Sequence, residues 1–228
     1  MSITHRVAAA AVALTVTAGV SAVTALPASA ATPACGPGCI EIFSAAFGTP
    51  ASPNFVETVF RGIPAAGVPT ILHRASGDDP AEDLIIPTQT PVPITQFYTE
   101  GMVSAAVNSH YAGELAAQIE YAPLGVPTGL CAALAATPYQ NEGLSLEPCS
   151  TPGRSVWIID TEDSPNTSYF PLVNGATTDF AHPYGMIFPG RRRPADSWFP
   201  RIRVAHLVGN PESVPANELW GADFGVLK

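Results

Sequence analysis

Lysine is nearly missing from this chain: the only one is Lys228, its last residue. Ten Lys and Arg stand against nineteen Asp and Glu, giving a net charge of −9 over 228 residues. So few cations argue against binding to nucleic-acid phosphates or adsorption to anionic membranes. Long apolar runs are absent after the first 30 residues, and none approaches the roughly 18 residues of a membrane span. There is no G-x-S-x-G, which removes the α/β-hydrolase nucleophile elbow. There is no D-x-D-x-D-G calcium loop either. Helical periodicity is scarce, because 24 Pro and 19 Gly interrupt the chain. Cysteines number only four: Cys35, Cys39, Cys131 and Cys149.

The first 30 residues read as an address. His5 and Arg6 give a small positive end, Val7 to Leu26 is almost wholly apolar, and Pro27 breaks the run. Ala28-Ser29-Ala30 supplies the small-x-small pattern of a signal-peptide cleavage site. Residues 1–30 are therefore expected to be a signal peptide and 31–228 one exported, soluble domain. Losing Arg6 takes the net charge from −9 to −10. High Ala, abundant Pro and scarce Lys suggest a GC-rich bacterial source.

An even cysteine count in an exported chain points to disulfides. Four cysteines allow three pairings. Cys35-Gly36-Pro37-Gly38-Cys39 can close on itself, which leaves Cys131 to pair with Cys149. The spacings lack a fitting His partner for a zinc site, and no metal or other cofactor is expected.

Short alternating apolar runs between Pro and Gly turns predict strands. They cover Ile40–Phe47, Phe55–Phe60, Thr70–Arg74, Leu84–Pro87, Gln118–Tyr121, Cys131–Leu134, Leu144–Glu147, Val156–Asp160, Phe170–Val173, Gly185–Phe188, Ile202–Leu207 and Leu219–Phe224. Residues 96–117 differ: Met102, Val103, Ala106 and Val107 stand at helical spacing, interrupted by Gly101 and Gly113. That segment is expected to be short helical turns or an extended insertion.

A weak repeat links three places. Pro80, Pro152 and Pro215 are each followed four residues later by Leu84, Val156 or Leu219, positions 72 and 63 apart. Three units whose apolar edges cannot be buried alone would close a common core. Twelve strands in three unequal four-strand repeats, over roughly 40–90, 91–162 and 163–228, predict an all-β fold of the β-trefoil type.

The second unit is the most distinctive. Gly129-Leu130-Cys131, then Leu144 to Cys149, then Ser155-Val156-Trp157 are similar to the repeat of the ricin-type (Q-x-W) lectin family. The resemblance is clear over Gly129–Asp160 only, with Trp220 a second equivalent of the end-strand Trp. It implies a β-trefoil with structural roles for Trp157 and Trp220. It also implies a sugar-binding Asp soon after the first Cys, where this chain has Ala132-Ala133-Leu134. Ser155 replaces the Gln of Q-x-W. The loop still offers Tyr139, Gln140, Asn141 and Glu142 as a ligand-binding set: a ring to stack on a pyranose, and amide and carboxylate groups for its hydroxyls.

Catalytic motifs are missing. His73, His110, His182 and His206 are isolated in sequence, and His73 and His206 share a place near the end of a strand. Two acidic clusters stand out, Asp78–Asp83 and Asp160-Glu162-Asp163; the first reads as a capped turn. Arg191-Arg192-Arg193 and the segment with Trp198, Phe199, Arg201 and Arg203 are further candidate contact surfaces. The expected function is a secreted, extracellular, non-catalytic binding protein with a degenerate lectin site for carbohydrate or cell-wall glycan. The alternative is a β-trefoil protease inhibitor acting through a projecting loop, Gly62–Pro69 or Pro189–Pro194.

Overall fold

Short β-prone runs punctuated by Pro and Gly give short strands, and none of these buries its apolar face without the others. The computed structural model describes residues 35–36, 38–49, 52–53, 55–165, 168–189, 200–207 and 214–224. The expected leader, the Arg191–Arg193 run, and Trp198 and Phe199 lie outside these residues. Twelve principal strands are seen among the described residues. In the first repeat these are β1 (Cys39–Ser44), β2 (Phe55–Val59), β3 (Thr70–Arg74) and β4 (Leu84–Ile85). In the second, β5 runs in two pieces, Leu115–Ala117 and Glu120–Tyr121, followed by β6 (Leu130–Ala133), β7 (Ser145–Pro148) and β8 (Trp157–Ile159). The third holds β9 (Leu172–Asn174), β10 (Tyr184–Ile187), β11 (Arg203–His206) and β12 (Trp220–Phe224).

The pairings close a ring. β1 pairs with β4, β4 with β5, β5 with β8 and β8 with β9. A Phe170–Trp220 bridge joins the segment just before β9 to β12, and β12 returns to β1. Every pairing is antiparallel, and closure removes the free edges that an open sheet would expose. Three hairpins hang from this barrel: β2–β3 from β1, β6–β7 from β5 and β10–β11 from β9. Bridges Pro69–Ser145, Ile71–Arg201 and Gly143–Arg203 join β3, β7 and β11 in a triangle. A six-stranded barrel with a triangular hairpin cap is the β-trefoil.

The registers define threefold-equivalent positions. Glu57 faces Leu72, Ala132 faces Leu146 and Met186 faces Val204 in the three hairpins. In the barrel, Leu84 pairs with Ile40 and Tyr121, Trp157 with Ala117 and Asn174, and Trp220 with Phe170 and Ser44. Leu84, Trp157 and Trp220 are therefore equivalent. This corrects the sequence alignment, which matches Leu84 to Val156 and Leu219. The slip comes from the turns: Pro80 opens its 3-10 turn (Pro80–Glu82) from inside, whereas Pro215 caps the turn Ala216–Glu218 from outside. His73 and His206 are offset in the same way, since His73 faces Val56 whereas His206 faces Tyr184, the partner of Arg74 being Phe55.

Two disulfides form, Cys35–Cys39 and Cys131–Cys149. The second staples the β6–β7 hairpin, and opening it costs about 3 kcal/mol on the chain-entropy model. The main core gathers Trp157 and Trp220 with Leu72, Leu134, Leu144, Leu146, Met186 and Ile202. The Trp157 indole N–H donates to Ala132 O at 2.8 Å and that of Trp220 to Met186 O at 2.7 Å.

The insertion between β4 and β5 forms two short helices, α1 (Ile94–Thr99) and α2 (Ala105–His110), the latter capped by Ser104. Gly101 turns between them at φ +73°. Ile94, Phe97, Val103, Val107 and Tyr111 pack on the outer face of β8, β9, β10 and β11 through Val156, Ile158, Val173, Ile187 and Ala205. This second apolar cluster explains the helical spacing of Val103 and Val107; Ala106 is exposed. Among the described residues no helix is long and apolar enough to cross a membrane.

Replacing Trp157 with Ala is expected to lower unfolding free energy by about 3–5 kcal/mol, and Trp157→Phe, which removes only the indole donor and some area, by about 1–3 kcal/mol. Urea unfolding monitored by far-UV circular dichroism measures both.

Candidate functional site

The β6–β7 tip folds onto the third repeat. Asn141 N donates to Val204 O at 2.9 Å, Val204 N donates to Glu142 O at 2.9 Å, and His206 N donates to Gln140 Oε1 at 3.0 Å. Glu142 is buried, with Oε1 accepting from Ala136 N. Burial raises its pKa. Gln140, Asn141 and Glu142 thus hold the hairpin cap together, and Asn141 takes a left-handed φ of 65° to do so. Tyr139, 57% exposed, Gln140 and Asn141 all face solvent, and of the four only Glu142 is buried. Ala132, Ala133 and Leu134, where the lectin resemblance implies a sugar-binding Asp, are fully buried. Ser155, in place of the Gln of Q-x-W, is also buried and accepts from Gln118 Nε2 at 2.9 Å.

Other sequence candidates also have structural work. Arg201 donates from Nε to Leu144 O and Arg203 from Nη1 to Asn141 O, so both cap the β6–β7 hairpin. Asp79 caps its turn by accepting from Ala81 N at 2.9 Å, Glu82 accepts from Ser76 N, and Asp83 accepts from Leu124 N at 2.7 Å. This first acidic cluster is a capped turn, partly buried rather than solvated. The Gly62–Pro69 loop lies along β7, with Gly67 N donating to Leu146 O and Leu146 N to Val68 O, and with Ile63 exposed. Of Pro189–Pro194 only Pro189 lies within the described residues.

A pocket of about 70 Å³ forms at the second acidic cluster. The cause is a register. Ile159 at the end of β8 pairs with Leu115 at the start of β5, so the next residue on one strand, Asp160, lies beside the preceding residue on the other, Glu114. The insertion brings His110 and Tyr111 over the same spot, and the loop after β9 brings Phe180. The His110 and Phe180 rings stack at 4.7 Å and 30°, and Tyr111 meets His110 edge-on at 4.7 Å. Glu162 and Asp163 complete the acidic wall, and among the described residues no Arg or Lys lines it.

Glu114 is committed: its oxygens accept from Thr161 Oγ1 at 2.9 Å and Thr161 N at 3.2 Å. Asp160 is buried and accepts from Asp163 N at 3.1 Å through Oδ1. Burial pushes its pKa up to about 6, opposed by that hydrogen bond and reinforced by the charges of Asp163, Glu114 and Glu162. Burial and the charges of Asp160, Asp163 and Glu114 likewise drive the Tyr111 hydroxyl upward, so it stays a neutral donor. The pocket therefore offers acceptors, a proton-bearing phenol and aromatic faces. Among the described residues no three His, Cys, Asp or Glu side chains are placed to hold a metal ion.

The sequence shows Asp160, Glu162 and Asp163 as a patch and His110 as an isolated histidine. Glu114, Tyr111 and Phe180 escape it, because they join only through the pairing of β5 with β8 and the loop after β9. The alternating "GELAA" before the predicted strand at Gln118 was the available signal: extending that strand back to Leu115 sets Glu114 at its mouth.

The fold makes this protein a β-trefoil, and it is similar to solved structures on that ground. ThreeFoil, a designed threefold-symmetric protein, matches at TM-score 0.51 and 10% identity, over 81% of this chain and 97% of that one. A mosquitocidal holotoxin matches at 0.50 and 10%, over 82% of this chain and 17% of the toxin. The C-half of an earthworm R-type lectin, solved in complex with GalNAc, matches at 0.41 and 10%, over 82% and 99%. At these identities the first two likenesses speak for the fold alone. No protein-family model and no curated protein matches the sequence, so no family match supports the Q-x-W motif.

The raised Asp160 pKa has a signed consequence. The folded state holds this proton more tightly than the unfolded chain, so stability falls as pH rises from about 4 to about 6 and is level above that. Asp160→Asn is expected to remove this part of the fall: the variant gains on the wild type through that window. Urea midpoints of both proteins at pH 4, 5, 6 and 7 check the divergence.

Proposed function

We propose that this chain is a secreted, non-catalytic glycan-binding protein that holds a saccharide in the pocket between the insertion and the strand ends of the second and third repeats. The observation that carries this reading is the pairing of a carboxylate wall, Asp160, Glu162 and Asp163, with stacked rings, His110 and Phe180, in one pocket. A pyranose has an apolar C–H face and a rim of hydroxyls. Rings take the face, carboxylate oxygens accept the hydroxyl protons, and the Tyr111 phenol can donate to a ring or acetamido oxygen. A wall without cations repels uronic and sialic acids, so neutral or amino sugars, such as those of cell-wall glycan, fit it best.

Three further features support the reading. The apolar start with its small-residue cleavage pattern suits export, and paired cysteines suit an oxidising compartment. The resemblance of Gly129–Asp160 to ricin-type lectins agrees with glycan binding, although Ala132 to Leu134 cannot bind sugar in the way that resemblance implies. In the present chain the site has moved to the far end of the same unit, where Asp160 stands.

Isothermal titration with soluble peptidoglycan fragments, after a glycan array, is the test. Phe180→Ala and Asp160→Asn are each expected to weaken binding about tenfold or more, the loss of one stacking contact or one charged hydrogen bond. Tyr139→Ala should leave binding within about twofold. Absence of binding to any glycan, peptidoglycan included, would falsify the proposal. Loss in Tyr139→Ala alone would move the site to the β6–β7 tip.

A further inference from the structure

The first repeat breaks the symmetry of the core in a chemically specific way. Where the other repeats place Ala132 and Met186, it has Glu57, and where they place Leu144 and Ile202, it has Thr70. Where they place the indoles of Trp157 and Trp220, it has Leu84, which has no N–H to offer. Glu57 and Thr70 are fully buried. Neither Glu57 carboxyl oxygen nor Thr70 Oγ1 makes a hydrogen bond of good geometry. An ionised carboxylate in such a place loses its hydration with nothing in return, and a neutral carboxylic acid loses far less.

We infer that Glu57 makes the β2–β3 hairpin the proton-sensitive corner of the trefoil: the hairpin stays packed while the carboxyl is neutral and opens when it ionises. The surroundings support this. β1 brings Glu41 against β2, β3 brings His73 and Arg74, and the turn before β4 brings Glu82 and Asp83. Burial alone raises its pKa, from 4.5 to about 7, and the Thr70 hydroxyl pulls weakly the other way. Between those two values the folded state holds a proton that the unfolded chain releases. Stability therefore falls as pH rises from about 4.5 to about 7 and levels off above. A shift of that size raises the unfolding constant of the hairpin on the order of 100-fold. The second and third repeats carry no such group at the equivalent positions; the second has the buried Glu142 at its hairpin tip, but Ala136 N donates to its Oε1, so that hairpin should respond less. This inference is independent of the glycan pocket, whose residues lie on other elements.

Hydrogen exchange of the full chain at pH 5 and pH 8, read as protection factors so that the intrinsic rate cancels, tests it. Amides of Phe55–Val59 and Thr70–Arg74 are expected to lose on the order of 100-fold protection over that range. Those of Leu130–Ala133 and Ser145–Pro148 should lose much less. In Glu57→Gln the difference between the hairpins should vanish. Glu57→Met, which copies the third repeat, should do the same and covers the case in which the Gln variant does not fold. A ¹³C titration of the wild-type Glu57 carboxyl gives an independent reading. The inference fails if the carboxyl titrates near 4.5, if all three hairpins lose protection equally, or if the variants keep the wild-type pH response.

Discussion

Two indole N–H groups tie the barrel to its cap. Each tryptophan sits on a barrel strand and donates across the core to a hairpin strand of its own repeat, Trp157 to Ala132 and Trp220 to Met186. Each buries a large ring and satisfies its one polar atom at the same time, which fixes both position and orientation. Once Trp157 is fixed, β8 is fixed, and its last residue delivers the chain to Asp160. The pairing of β8 with β5 then sets Glu114 beside it, and the insertion closes over both. The pocket is thus a consequence of how one tryptophan is held.

The threefold frame is obeyed unequally. The second and third repeats spend their core positions on apolar side chains and indoles, while the first holds Glu57, Thr70 and Leu84. The candidate site lies away from that weaker corner, at the junction of the two well-packed repeats and the insertion. A binding pocket needs preorganised walls, and the second apolar cluster supplies them by packing α1 and α2 on the outer face of the sheet. The acidic wall itself is costly, as the raised Asp160 pKa records, and the surrounding packing offsets that cost.

The sequence made the strands easy to find. Eleven of the twelve lie where short alternating runs place them, because Pro and Gly mark nearly every turn and alternation survives wherever one strand face is buried; β5 starts earlier, at Leu115, inside the segment read as an insertion. The cysteine pairs were readable too, since five residues with two Gly and a Pro close naturally. Threefold register was harder. A proline can begin a 3-10 turn from inside or cap it from outside, and one residue of difference moved Leu84 against the wrong partner. The β6–β7 tip had suitable sugar-binding residue types, yet the side chains of Gln140 and Glu142 and the main chain of Asn141 are engaged in the cap. Residue type reports chemical capability, and only the register shows whether that capability is already in use. The same limit hid the pocket: Asp160 was visible as part of a patch, but its joining to Glu114, Tyr111 and Phe180 depends on contacts between segments about 20 to 50 residues apart, which no local pattern encodes.

A ligand held between the insertion and the end of β8 would touch a defined set of backbone amides. Mapping ¹H–¹⁵N chemical shifts during titration with a soluble peptidoglycan fragment tests it most directly. The largest shifts are expected on His110, Tyr111, Glu114, Asp160 to Asp163 and Phe180, with the β6–β7 tip unmoved. Shifts centred on Tyr139, or none anywhere at saturating fragment, would contradict it.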